Sequence, residues 1–236
     1  MAKKSKVKPE YKELVGLFEQ LTGSRSMWQA FNDCIEMFAL AFQDAFVFGD
    51  KFQKNEERYK QIATQYEGQM HIVLKIFSKI VDMAEVNPFR DLLGELYMQL
   101  NMGSDTLGQF FTPYCVTQFM AQISDIEAVK AEIEENGYVT LNEPSCGGGA
   151  NVIAFCEMLY NNGINYQRQC VIACQDLSRT TALVCYVVLS LLGCAAVVKV
   201  GDTIANPYVN YLVDTAKGCE LWTTPAFHLY NCYRKI

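Results

Sequence analysis

Tyr138-Val139-Thr140-Leu141-Asn142-Glu143-Pro144-Ser145-Cys146-Gly147-Gly148-Gly149-Ala150-Asn151-Val152 carries an extended apolar run into three consecutive glycines, and a helical apolar pattern leads on from it to Tyr160. The pattern predicts a strand, a tight turn and a helix start. Glycines let a backbone turn sharply and approach a bound molecule with no Cβ in the way. The helix start behind them presents unpaired N–H groups and a positive dipole end to a carboxylate or phosphate. The stretch is a candidate binding loop, and its neighbours must say for what.

Downstream the same alternation repeats. Strands are expected at Tyr138–Asn142, Cys170–Gln175, Ala196–Val200 and Cys219–Thr223, with helices over Asn151–Tyr160 and Ser178–Leu192. Strands alternating with helices predict a parallel α/β sheet with ligands beyond the carboxyl ends of its strands. The residues at those ends are Glu143, Asp176, Asp202 and Thr224, all polar and each following an apolar run. They are expected to share one site. Asp176 can accept hydrogen bonds from both hydroxyls of a ribose, and Asp202 can take an exocyclic amine of adenine, so an adenosine-containing ligand is favoured. A dinucleotide fingerprint wants G-x-G-x-x-G. From Gly147 the third glycine position is Val152. Glu143-Pro144 ahead of the glycines suits an amino-acid zwitterion better than a pyrophosphate, which favours S-adenosylmethionine.

Upstream, Tyr11 to Met102 reads as helical. Trp28, Phe31, Ile35, Phe38, Phe42 and Phe46 fall three or four apart along Met27–Phe48, one face of a helix. A charged stretch, Lys51 to Arg58, separates it from a helix over Tyr59–Ala84; Asn87-Pro88 ends that helix, and Asp91–Leu100 forms another. Thr112 and Pro113 read as N-cap and first residue of a helix that continues from Val116 to Ile123, and Ile126–Glu135 is charged and exposed. The expected division is a helical N-terminal domain, residues 1–105, and a ligand-binding α/β domain, residues 106–236.

Composition sets the bounds. Half the residues are apolar, and the formal net charge is -6, which excludes coating nucleic acid through global charge. Ten cysteines lie scattered, mostly in apolar runs, with no CxxC and two histidines, so no metal site is expected and the cysteines read as buried hydrophobes of a reducing cytoplasm. Ala182–Val198 falls short of a membrane span and is split by Gly193.

Gly108-Gln109-Phe110-Phe111-Thr112-Pro113 followed by Glu143-Pro144-Ser145-Cys146-Gly147-Gly148-Gly149 resembles the adenine-N6 DNA methyltransferase family, closest to the modification subunit of type I restriction–modification systems. The resemblance implies a Rossmann-like methyltransferase sheet, cut short after its fourth strand and preceded by a helical N-terminal domain. It implies S-adenosylmethionine as cofactor and DNA adenine as target. A specificity or modification subunit, or a second copy through the exposed sheet edge, is the implied protein partner. Gln109, Phe110, Phe111, Thr112 and Pro113 would line the cofactor's methionine end. Glu143, Gly147, Gly148 and Gly149 would hold its amino-acid portion, Asp176 its ribose and Asp202 its adenine.

The family's catalytic signature, (N/D/S)-P-P-(Y/F), corresponds to Thr224-Pro225-Ala226-Phe227. The adenine amine is a poor nucleophile until two acceptors, the first side chain and the carbonyl of the next proline, draw on its protons. The aromatic ring stacks on the flipped base. Here Thr224, Pro225 and Phe227 would take those roles, with Thr224 shorter in reach than asparagine and Ala226 replacing a proline. The chain reaches Ile236 soon after this motif. The alternative is therefore a non-catalytic cofactor-binding or assembly protein derived from the family.

Overall fold

The computed structural model describes residues 7–100, 112–230, 232 and 236. After a short 3-10 turn, Pro9–Tyr11, five helices follow: α1 (Lys12–Thr22), α2 (Met27–Asp44), α3 (Asp50–Thr64), α4 (Met70–Val86) and α5 (Leu92–Gln99). Then come α6 (Tyr114–Gln122), α7 (Ile126–Asn136), β1 (Val139–Glu143), α8 (Ala150–Asn161), α9 (Tyr166–Gln169), β2 (Cys170–Asp176), α10 (Arg179–Leu191), β3 (Ala195–Val200), α11 (Tyr211–Ala216), β4 (Leu221–Thr223) and α12 (Pro225–Leu229). The charged stretch at Lys51–Arg58 is helical, inside α3, rather than a connector. Lys, Gln and Glu are good helix formers, and only Ile62 of α3 is buried.

The four strands pair in sequence order, β1-β2-β3-β4. β1, β2 and β3 run parallel. β4 is antiparallel to β3, with Val197 opposite Thr223 and Lys199 opposite Leu221. The cause lies in the connecting segment. The ammonium of Lys199, fully buried, donates to Asp214 Oδ1 at 2.6 Å, to Pro207 O at 3.1 Å and to Asn206 Oδ1 at 3.3 Å. Asp214 Oδ2 accepts from Val209 N and Asn210 N. This anchor holds residues 206–214 against the carboxyl end of β3. The chain therefore re-enters the sheet at that end, beside Lys199, and has to run backward.

Alternation along the strands divides the core between two faces. Cys170, Ile172, Cys174, Ala196, Val198 and Trp222 join a large cluster with side chains from α1, α2, α4, α5, α8 and α10. Val171, Ala173, Ala195, Val197 and Leu221 face a smaller cluster completed by Ala226, Phe227 and Cys232. The helical segment and the sheet thus share the first cluster, with α2 lying on α10. The outer edge of β4, expected to be open, has its Leu221 carbonyl covered by Gln43 Nε2 at 3.2 Å and Lys51 Nζ at 3.3 Å. No helix among the described residues is long and apolar enough to cross a membrane.

The Lys199–Asp214 pair sets a stability expectation. Burial by itself pushes the Asp214 carboxyl up, but the Lys199 hydrogen bond, the Val209 N–H and the Lys199 charge outweigh it and hold the pKa below the usual range. Asp214→Ala leaves a buried ammonium uncompensated and should cost about 3–5 kcal/mol in urea unfolding. Because the folded value is depressed, the carboxylate's contribution is complete above the unfolded-chain pKa and is lost as pH falls through the folded one. The gap between the native protein and Asp214→Ala should therefore close on acidification and be constant at neutral pH.

Candidate functional site

β1 delivers Glu143 to the carboxyl edge of the sheet, half-buried. Its Oε1 accepts from Ser145 N at 3.3 Å and its Oε2 from Asn151 Nδ2 at 3.2 Å, so this carboxylate clasps the two ends of the glycine loop. Gly147 and Gly149 have φ of 51° and 94°. Gly149 is the N-cap of α8. A Cβ on Gly149 would also sit 3.2 Å from Cys185 Sγ, so the position needs glycine for conformation and for room.

Asp176, at the end of β2, accepts from Gly147 N at 2.8 Å through Oδ2. Its Oδ1 accepts from Ser178 N at 2.9 Å and Thr181 Oγ1 at 2.8 Å. One carboxylate therefore ties the loop after β1 to the start of α10. Cys146 N donates to Gln175 O at 2.9 Å, and Gly201 N to Asp176 O at 2.9 Å. Thr203 Oγ1 donates to Pro144 O, closing the ring between the loops after β3 and β1. Gln175, buried, steadies the third loop from below by donating to Gly201 O and Asn206 O and accepting from Tyr208 N. Asp202 is exposed, its Oδ1 accepting from Ile204 N and Ala205 N. Glu143, Gly147, Gly148, Gly149, Asp176 and Asp202 thus lie on one hydrogen-bonded rim.

Asn151, one residue into α8, was not singled out from sequence. Its Nδ2 must face Glu143, since a carboxylate only accepts. That leaves Oδ1 buried with no partner among the described residues. A polar side chain in the first turn behind a glycine loop was the available signal. An orphaned acceptor beside a carboxylate fits a ligand that brings N–H donors, as the ammonium of an amino acid does.

Other expected site residues lie elsewhere. Gln109, Phe110 and Phe111 fall outside the described residues. Thr112 and Pro113 are exposed, and Pro113 rather than Thr112 holds the N-cap position of α6. They line a cavity of about 310 Å³ with Lys8, Asp91, Gly94 and Glu95, and none of the loop residues belongs to it. The reason is that α6 docks on the far half of α8, where Tyr114 Oη and Gln118 Nε2 both donate to Glu157 Oε2 at 2.9 and 2.8 Å.

Thr224, Pro225 and Phe227 do not join the rim. Because β4 runs backward, Thr224 comes out at the start of β3, at the opposite end of the sheet. Its Oγ1 donates to Cys194 O at 2.6 Å and accepts from Ala196 N at 2.9 Å, and its N–H donates to Ala196 O at 3.0 Å. The hydroxyl completes the sheet ladder. Phe227 is fully buried, 5.3 Å from the Tyr211 ring. Neither group is placed to meet a base beside the glycine loop.

Beneath the loop, the structure assembles something the sequence spacing hid. Cys146 from the loop, Cys174 from β2 and Cys185 from α10 place their sulfurs within 4.8 Å of one another, all buried. At each sulfur the hydrogen bonds to the other two oppose one another, one lowering the pKa and one raising it, and burial then holds all three thiols well above their ordinary range as neutral S–H groups.

The family model for N-6 DNA methylase matches residues 89–226, more than half of the chain. A solved structure from Listeria monocytogenes, described as a candidate class I S-adenosylmethionine-dependent methyltransferase, is 16% identical with a TM-score of 0.48. The likeness covers 85% of this chain and 56% of that one, so the chain spans little more than half its length. No curated protein sequence matches the chain.

The loop's requirement for glycine can be measured. Gly149→Ala meets both the left-handed φ and the Cys185 sulfur, and should lower stability by about 1–3 kcal/mol in thermal or urea unfolding. Gly137→Ala, with φ of 81° and nothing within 4 Å of the new Cβ, carries the strain alone and should cost less.

Proposed function

The chain belongs to the N-6 DNA methylase family, whose cofactor is S-adenosylmethionine, and from that premise we propose that Glu143, Gly147–Gly149, Asn151, Asp176 and Asp202 hold this cofactor in the service of adenine-N6 methylation of DNA, of the restriction–modification kind. The observation that carries the reading is the convergence of three strand ends on one rim around the glycine loop. The cofactor, when bound, supplies an electrophilic methyl group.

The chain's own residues bind and orient. Glu143 and the free Oδ1 of Asn151 offer anionic and neutral acceptors to an amino-acid ammonium. The first turn of α8 offers N–H groups to its carboxylate. Asp176 keeps lone pairs beyond the three bonds it already makes, enough for a ribose hydroxyl. Asp202 Oδ2 accepts from no described residue and is open to an exocyclic amine. Residues 1–105 would form the helical buttress, and 106–236 the cofactor-binding domain. DNA, and a specificity or modification subunit, are the partners of this reading.

A second reading is favoured by one observation. With Thr224 spent on the sheet ladder and Phe227 fully buried, neither residue of the expected catalytic motif lies beside the cofactor rim in the conformation described. In this reading the chain binds cofactor and assembles with other subunits but transfers no methyl group itself.

Calorimetry with S-adenosylmethionine tests the shared premise. Asp176→Ala should weaken binding at least tenfold, and Asn151→Ala should weaken it measurably without unfolding the chain. Phe227→Ala should cost about 3–5 kcal/mol of stability and leave affinity unchanged. Failure of the intact protein to bind would overturn both readings. Labelled methyl transfer to adenine-containing DNA then separates them: transfer that is lost in Thr224→Ala with cofactor binding intact supports the enzyme, and binding without transfer supports the assembly protein.

A further inference from the structure

Cys146, Cys174 and Cys185 come from a loop, a strand and a helix that are far apart in the sequence. The fold brings their sulfurs within 4.8 Å of one another, and no histidine or carboxylate among the described residues completes the group to four. Three metal–sulfur bonds of about 2.3 Å in one plane place the sulfurs about 4 Å apart, so small side-chain rotations close the set around an ion. The pocket is dry: Cys146 is 5% exposed, and Cys174 and Cys185 are fully buried.

The ligand set selects the metal class. Zinc in a protein takes four ligands, or three with a water in the open position. Among the described residues the pocket supplies no fourth His, Cys, Asp or Glu, and its sulfurs are almost wholly buried. A set made only of sulfur matches soft ions, Cu(I) foremost, and three-coordination needs nothing further from the chain. Hard ions such as magnesium and calcium require oxygen ligands and are excluded.

We propose that Cys146, Cys174 and Cys185 form a trigonal thiolate site for a soft monovalent metal ion of the Cu(I) class. On binding, three S–H bonds break and three Cu–S bonds form. The three protons leave to solvent, and no electron is transferred. The site is built by packing around the loop and does not depend on what the rim above it binds.

The probe is Cu(I), supplied anaerobically to the intact chain in competition with a water-soluble Cu(I) chelator. One equivalent should be retained, with thiolate-to-copper absorption in the near ultraviolet. X-ray absorption on the unsubstituted protein should count three sulfur neighbours and no nitrogen or oxygen. Cys174→Ser and Cys185→Ser should each lower retention at least a hundredfold, with folding checked by circular dichroism. Cys115→Ser, at an exposed cysteine, and Cys156→Ser, in a separate buried pair with Cys194, should retain the ion. Undiminished retention in Cys174→Ser, loss in Cys115→Ser, or two sulfur neighbours in the absorption spectrum would each overturn the site. Displacement of Cu(I) by equimolar Zn(II) would overturn the metal class.

Discussion

The carboxylate of Asp176 holds the carboxyl edge of the sheet together. It fixes the glycine loop through Gly147 N and the start of α10 through Ser178 N and Thr181 Oγ1. Charge-assisted bonds of this kind are stronger than neutral ones, and here each also satisfies a backbone or hydroxyl donor at a chain reversal. Loops that would otherwise move independently are held in register with the sheet, and the third is drawn in by Gly201 N and by Thr203 on Pro144 O. The positive φ of Gly147 and Gly149 is sustained by this frame. The rim of strand ends is tied together because the Asp176 side chain bridges the first two and its backbone carbonyl and Thr203 bring in the third.

Much of this was legible in the sequence. β2 and β3 are buried on both faces and read as largely apolar runs, Cys170–Cys174 and Ala195–Val198, with polar residues following each. The glycines and Glu143 announce the loop because their conformational demand is local. The direction of β4 was not legible. An apolar run has no polarity of its own, and pairing sense is decided by where the preceding segment is anchored. Lys199 and Asp214 decide it, and a charged pair separated by a loop looks like two solvated residues until the fold buries both. The misplacement of Thr224 and Phe227 follows from that one unreadable sign.

The cysteine trio was hidden for a related reason. Its members follow no helical or strand period, since each belongs to a different element, and their meeting depends on the docking of α10 under the loop. Asn151 was hidden more shallowly: it lies in the quoted stretch, but its lone unpaired acceptor is a property of packing and not of residue type. Local conformational requirements can be read from sequence; the satisfaction of hydrogen bonds across elements cannot.

The covering of β4 bears on how the sheet is completed. Each strand pairs with the one made just before it, so the sheet can grow outward by successive additions, with no strand needing to insert between two others. The last addition is sealed differently. Gln43, near the end of α2, caps the Leu221 carbonyl across a sequence separation of 178. Closure of that edge is therefore among the most non-local contacts of the described residues, together with the stacking of Phe46 on His228. Contacts this far apart in sequence come with a long loop to close, and until this one forms the final strand presents a bare edge to other chains.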